Sequence, residues 1–346
     1  MAPHRSKTRF LVCAPLALLT LAVAVRSLPV NVTMAAPPSF DLQGHRGARG
    51  LKPENTLAAF SHALSLGVST LELDTAVTRD GIVVITHDSG LNPDITRDAS
   101  GEWLKQTGPT MLSMTYAELL RYDVGRLRPG SAYGMRFKDQ VAKDGERIPK
   151  LSDLFAMVKK AGNTTVRFNI ETKLDPRKPD QTPKAEAFAE AVVREIRLVG
   201  LERRSTIQSF DWSTLKVVKR IAPEILTVCL TTQQGSDDNI GLGKPGASAW
   251  LGGLDVDDFG GSVPKLVKAA GAAVWSPNYG DVSAATVSES HTLGLQVIPW
   301  TANDPADMAR LIDMGIDGLI SDRPDLLRRV LAEKGVSLPA PAPIKP

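Results

Sequence analysis

The stretch TLELDTAVTRDGIVVITHD, residues 70–88, decides how the chain folds. Thr70 to Val77 reads as a strand, Ile82 to His87 reads as another, and only Thr78-Arg79-Asp80-Gly81 separates them. Asp-Gly between two strand patterns marks a hairpin, whereas parallel neighbours need a crossover of about a dozen residues. The second run therefore returns antiparallel along the first and is no member of a parallel repeat. Residues two apart on a strand point to the same side, so Glu72 and Asp74 share a face. The return brings His87 and Asp88 close to the level of those carboxylates.

Working outward, Phe40 to His45, Thr165 to Thr172, Ser205 to Phe210, Leu226 to Thr232, Ala273 to Pro277, Gln296 to Thr301 and Gly318 to Ser321 also read as strands. With Thr70 to Val77 they make eight parallel candidates alternating with amphipathic helical patterns. Eight strand-helix units in roughly 300 residues predict an α/β chain folded as a (β/α)8 TIM barrel. The helices are clearly punctuated: Asn55-Thr56 opens one that stops at Gly67, Ser152 one that stops at Gly162, and a third stops at Gly200. Later ones stop at Gly271, Gly294, Gly315 and Gly335, the residue that most readily takes the left-handed turn closing a helix.

The barrel domain is expected over residues 40–335. Residues 89–148, rich in Gly, Pro, Arg and Asp, are too many for a bare loop and predict a small inserted subdomain over the strand ends. A second irregular stretch, Gly235 to Gly261, also follows a strand. The Pro- and Ala-rich tail, 337–346, is expected to be disordered.

Residues 1–36 have the layout of a signal peptide. His4, Arg5, Lys7 and Arg9 precede an apolar run from Phe10 to Val25, with small residues at Ala22-Val23-Ala24 and Met34-Ala35-Ala36. The competing reading is an uncleaved anchor stopped by Arg26. The cleaved form predicts a periplasmic or secreted protein with no stable membrane span. This segment holds four of the 41 Lys and Arg and none of the 38 Asp and Glu, leaving 37 against 38, a net charge of −1. Without a basic run to neutralise phosphates along a strand, a nucleic-acid partner is not expected. Cys229 alone would remain, so no intrachain disulfide can form, and nothing around it predicts a reactive thiolate.

In a barrel of this kind the working residues lie at the carboxyl ends of the strands, where His45, Glu72, Asp74 and the pair Glu171 and Lys173 all fall. Any one carboxylate near a turn is more simply a solvated end or an ion-pair partner. Glu72, Asp74 and Glu171 together, with no cysteine or third histidine near, favour one hard divalent cation, Ca²⁺ or Mg²⁺, over zinc. Such a cation would polarise a phosphate oxygen while Arg46 and Lys173 take up the remaining charge. Imidazole titrates near neutrality, so His45 and His87 can divide the proton work, one as acid and one as base, in an order the residues leave open. His62 and His291 lie on helical segments and read as surface or packing residues. Trp275 and Trp300, both at strand ends, suit a core or a pocket wall; Trp300 is counted with the substrate-binding residues.

These motifs carry a resemblance. His45-Arg46-Gly47-Ala48-Arg49-Gly50 with Pro53-Glu54-Asn55-Thr56, Glu72-Leu73-Asp74 with Asp80-Gly81 and His87-Asp88, and Glu171-Thr172-Lys173 resemble the glycerophosphodiester phosphodiesterase family. So do Gln208-Ser209-Phe210, Trp300-Thr301-Ala302-Asn303, Gly315-Ile316-Asp317-Gly318 and Ser321-Asp322-Arg323-Pro324. The resemblance implies a metal-dependent barrel hydrolase that cleaves a small-molecule glycerophosphodiester to glycerol 3-phosphate and an alcohol. It matches Glu72, Asp74 and Glu171 to metal ligands, His45 and His87 to the acid-base pair, and Arg46 and Lys173 to phosphate binding.

Two other readings compete. A sphingomyelinase D or lysophospholipase D on the same barrel would keep the histidines and carboxylates but need an apolar lip for acyl chains. A periplasmic binding protein would hold glycerophosphodiesters uncleaved, and is disfavoured because both histidines are present.

Overall fold

The computed structural model describes residues 1–3 and 40–344. Apart from its first three residues, the expected signal peptide lies outside the described residues. No helix among those described is long and apolar enough to cross a membrane.

Strands β1 (Asp41–Gly44), β2 (Thr70–Val77), β3 (Val83–Ile85), β4 (Arg167–Thr172), β5 (Ser205–Ser209), β6 (Leu226–Thr231), β7 (Val274–Pro277), β8 (Gln296–Val297) and β9 (Gly318–Ser321) form one sheet. Its order is β8-β7-β6-β5-β4-β2-β1-β9, all parallel, with β3 antiparallel on β2. The hairpin register pairs Thr75 with Ile85 and Val77 with Val83, as Asp80-Gly81 demands. The regular ladder of β8 with β7 stops at Val297, short of the expected Thr301, because Pro277 of β7 has no N–H to give to Ile298 O, which accepts from Ser276 Oγ at 2.6 Å instead. Asp317 N–H to Val297 O at 2.9 Å and Ile320 N–H to Pro299 O at 2.9 Å nevertheless bring the two ends together, so eight parallel strands make a nearly closed barrel.

Among the described residues eight helices pack outside: α1 (Leu57–Leu66), α2 (Leu151–Lys160), α3 (Ala185–Leu198), α4 (Trp212–Ile221), α5 (Val263–Ala270), α6 (Ala284–Thr292), α7 (Pro305–Asp313) and α8 (Pro324–Glu333). Thr56 caps α1 by accepting from Ala59 N–H, and Gly67 closes it in the left-handed conformation. Side chains alternate across each strand, so Leu42, Leu71, Leu73, Ile170 and Ile207 join the layer between barrel and helices. The interior is split. Val228, Val274, Ile298 and Ile320 form a small apolar cluster on the β6–β9 side, while Gln43, Glu72, Asp74, Asn169, Glu171 and Gln208 are buried polar residues of β1, β2, β4 and β5.

Residues 89–148 carry two one-turn helices, Tyr116–Leu119 and Ala132–Met135, and a small apolar cluster including Leu91, Met111, Met114, Leu119 and Val124. Residues 337–344 form no regular element. They run beside α1 and α8, where Ala342 N–H donates to Leu64 O and Arg328 donates to Pro339 O.

Candidate active site

At the carboxyl end of β1 the chain turns sharply through His45-Arg46-Gly47. Gly47 has φ +83°, and a Cβ there would lie 2.8 Å from the Ala59 backbone of α1, so only glycine lets the turn sit on the helix. Arg46 also takes a left-handed conformation, with φ 50°, which is uncommon for a residue with a side chain. It aims the Arg46 N–H at Glu72 Oε2, 2.8 Å away, while the guanidinium reaches Glu54 Oε1 at 2.6 Å and Asp74 Oδ2 at 3.2 Å. Asn55, the other described non-glycine residue at positive φ, donates its Nδ2 to Asp74 Oδ2 at 2.9 Å.

β2 and β4 run in register, with Asp74 beside Glu171, and this alignment assembles the carboxylates. Glu72, Asp74 and Glu171 are all buried, and each offers an oxygen within 4.8 Å of the others. Lys173 Nζ lies 2.9 Å from Glu171 Oε1 and 3.8 Å from Asp74 Oδ1. Asp74 Oδ1 is buried and accepts no hydrogen bond. A buried acceptor without a partner is costly, and three all-oxygen donors converging on it suit a hard divalent cation. The triad could therefore hold a metal ion.

Electrostatics agree. Burial, then the neighbouring Asp74, hold Glu72 well above the usual carboxylate range, and burial pushes Glu171 up to about 7 against the pull of Lys173. Burial opposes ionisation of Asp74 as well, but Arg46, His87 and Lys173 outweigh it and hold Asp74 well below that range.

Both histidines are oriented by carboxylates. His45 Nδ1 lies 2.6 Å from Asp322 Oδ1, so Nδ1 carries the proton and Nε2 presents its lone pair, 3.9 Å from Glu72 Oε2. Asp322 also accepts from Arg49 Nε at 2.8 Å, Arg49 Nη2 at 3.0 Å and Asn303 Nδ2 at 2.8 Å. Burial and then Arg49 outweigh Asp322 and lower His45 to about 4. His87 Nδ1 lies 2.8 Å from Asp88 Oδ1, whose other oxygen accepts from Asn92. Burial, Arg46 and Lys173 lower His87 in turn.

His45, Arg46, Glu72, Asp74, His87, Glu171, Lys173 and Trp300 all line one cavity of about 470 Å³. An adjoining cavity of about 370 Å³ shares His87, Glu171, Lys173 and Trp300, and opens between Phe210, Trp250 and Arg177. Trp300 is thus a wall of both, its ring edge-to-face with Phe210 and its Nε1 donating to Ser276 O. Trp275 is instead buried, donating to Thr231. His62 is half-buried on α1, and His291 faces Asp317 at 2.9 Å away from the site.

Several site residues have roles that the sequence does not reveal. Asp322 follows the last strand, and Glu54 and Gln208 hold Arg46 and Glu72. The insertion sends in Tyr133, whose hydroxyl donates to Glu54 Oε2 and accepts from Arg49 at 3.3 Å. The strand-end position of Asp322 was the available signal; nothing local marks Tyr133.

A parallel barrel with two carboxylate-held imidazoles, two cations and an acidic triad at its strand ends defines a phosphodiester-cleaving hydrolase. The model of the glycerophosphoryl diester phosphodiesterase family matches residues 45–326, and the chain belongs to that family. A crystal structure of a putative glycerophosphoryl diester phosphodiesterase from Silicibacter pomeroyi is 35% identical, with a TM-score of 0.78 over 88% of this chain and 97% of that one. A glycerophosphodiester phosphodiesterase of Caldanaerobacter subterraneus is 28% identical over 295 residues, covering 84% of this chain and 97% of its own length. A phosphodiesterase of Oleispira antarctica, solved with its product sn-glycerol-3-phosphate, shares the fold at 23% identity and a TM-score of 0.60, over 84% of this chain and 96% of its own.

Proposed function

We propose that the chain hydrolyses glycerophosphodiesters to glycerol 3-phosphate and an alcohol, with His45 and His87 as the acid-base pair and one divalent cation, Ca²⁺ or Mg²⁺, on Glu72, Asp74 and Glu171. The observation that carries this reading is the single cavity shared by both histidines, the triad, Arg46 and Lys173. The names of the Silicibacter pomeroyi and Caldanaerobacter subterraneus relatives support the substrate class.

The bound cation would supply Lewis-acid polarisation of a phosphate oxygen. Arg46 and Lys173 bind the other phosphate charge; both remain cationic at neutral pH because Glu54, Asp74 and Glu171 surround them. His45, lowered to about 4, is neutral with a free Nε2 and so acts as base toward the attacking hydroxyl. His87 lines both cavities and acts as acid toward the leaving alcohol, which takes the adjoining space beside Trp300. An anionic phosphodiester between Arg46 and Lys173 offsets the charges that lower His87. The N-terminal layout supports export, giving a periplasmic or secreted enzyme.

Parallel incubation with glycerophosphocholine and lysophosphatidylcholine tests the substrate. Choline is expected to appear faster from glycerophosphocholine; faster release from the lipid would instead support a lysophospholipase D.

A further inference from the structure

TIM-barrel interiors are packed mainly by branched apolar residues. Here the layer below the site holds a chain of buried amides: Gln43 of β1, Asn169 of β4 and Gln208 of β5 are 3%, 2% and 1% exposed. Asn169 Nδ2 donates to Gln43 Oε1 at 2.9 Å and to Gln208 Oε1 at 2.8 Å, using both its hydrogens. Its oxygen accepts from Thr206 Oγ1 at 2.9 Å. Gln43 Nε2 passes the chain down to Asp41 Oδ2 at 2.9 Å, and Gln208 Nε2 passes it up to Glu72 Oε1 at 2.7 Å.

The direction of every amide follows from the chemistry of the two ends. Asp41, paired with Arg167 and accepting from Thr70, needs a donor from Gln43. Glu72, ionised when it holds a cation, needs a donor from Gln208. Only Asn169, with two N–H groups between two carbonyl oxygens, satisfies both at once. Reversing Gln208 would set its oxygen against Glu72 and its amide nitrogen against that of Asn169, two buried mismatches. With Arg46 N–H on Oε2, the Gln208 bond on Oε1 holds both carboxylate oxygens of Glu72 in place.

We propose that Asn169 is a positioning residue for the cation site: acting through Gln208, it fixes the orientation of Glu72 from a level of the barrel that touches neither substrate nor metal. The inference rests on the assignment of Glu72, Asp74 and Glu171 as cation ligands. Asn169→Asp places an acceptor where Gln208 Oε1 now receives a hydrogen bond, so Gln208 turns and its oxygen faces Glu72.

The test is calorimetric titration of the full chain with Mg²⁺ and with Ca²⁺, beside the melting temperature of the EDTA-treated protein. Asn169→Asp is expected to weaken cation binding by about 10- to 100-fold, the usual range for partners that orient a ligand. In a Gln208→Leu background the same substitution is expected to cost nothing further, because the intermediary is gone. Thr206→Val, which removes only the hydroxyl that orients Asn169, is a gentler variant expected to act in the same direction should Asn169→Asp fold poorly. Wild-type binding with unchanged affinity in the folded variants, or equal loss in both backgrounds, overturns the inference while leaving the cation site intact. A wild-type chain that binds neither cation overturns the cation site and this inference together.

Discussion

Asp322 Oδ1 lies 2.6 Å from His45 Nδ1, so the residue after the last barrel strand holds the histidine at the end of the first. Barrel closure and the state of the proposed base are thus one relationship. Asp322→Asn would let Nδ1 accept instead of donate and expose the wrong tautomer to the cavity. Turnover is expected to fall by about 10²- to 10⁴-fold, measured below the melting temperature of the variant. Because Arg49 loses its buried counter-charge as well, thermal unfolding should show a destabilisation of about 3–5 kcal/mol. A fully active variant would remove Asp322 from the account.

His45 gives the cation-free protein a defined acid sensitivity. Its folded pKa, about 4, is below the ordinary 6.5, so the unfolded chain binds more protons between those values. Stability contributed by neutral His45 is therefore present above pH 6.5 and is lost as pH falls toward 4. Urea unfolding of EDTA-treated protein across that window should show the wild type losing midpoint relative to His45→Gln as pH falls, because the raised carboxyls of Glu72 and Glu171 act in the opposite sense in both proteins.

Cation binding should depend on pH in the same sense for a different reason. Glu171 is pushed up to about 7 and Glu72 is held well above the usual range, so a cation must displace protons from the triad. Affinity is expected to be weaker at pH 6 than at pH 8, with protons released in titrations near neutrality. EDTA is expected to abolish turnover, and Mg²⁺ or Ca²⁺ to restore it. Activity that persists through exhaustive chelation would end the metal assignment.

Glu54 and Tyr133 brace Arg46, the proposed phosphate-binding cation, from outside the barrel. Charge-assisted hydrogen bonds contribute about 1.5–3 kcal/mol, so Glu54→Gln should raise KM by roughly 10-fold or more. Tyr133→Phe should act in the same direction more weakly. Steady-state kinetics on glycerophosphocholine resolve the two; a change confined to kcat would contradict a binding role.

Much of this arrangement was legible because it is local. Asp80-Gly81 dictated the hairpin that returns His87, residues two apart placed Glu72 beside Asp74 on one face, and Gly67, Gly162, Gly200, Gly271, Gly294, Gly315 and Gly335 all take the left-handed conformation expected of helix stops. What was hidden depends on distant pairing. Asp322 meets His45, Tyr133 meets Glu54, and Asn169 meets Gln208 only once strands close and the insertion folds over. Neither a tyrosine in an irregular segment nor an asparagine in a strand carries a local sign of its partner. The shortening of β8 was visible in principle, since Pro277 of the neighbouring strand lacks the N–H the ladder needs.

Histidine acid-base cleavage of glycerophosphodiesters in this cavity is the reaction proposed for the chain. It is tested most directly by the glycerol 3-phosphate released from glycerophosphocholine by wild type and by His45→Ala under saturating Mg²⁺ or Ca²⁺. Steady release by the wild type and a loss of about 10²- to 10⁴-fold in the variant are expected. Equal release by both, or no glycerol 3-phosphate from the wild type with either cation, would contradict it.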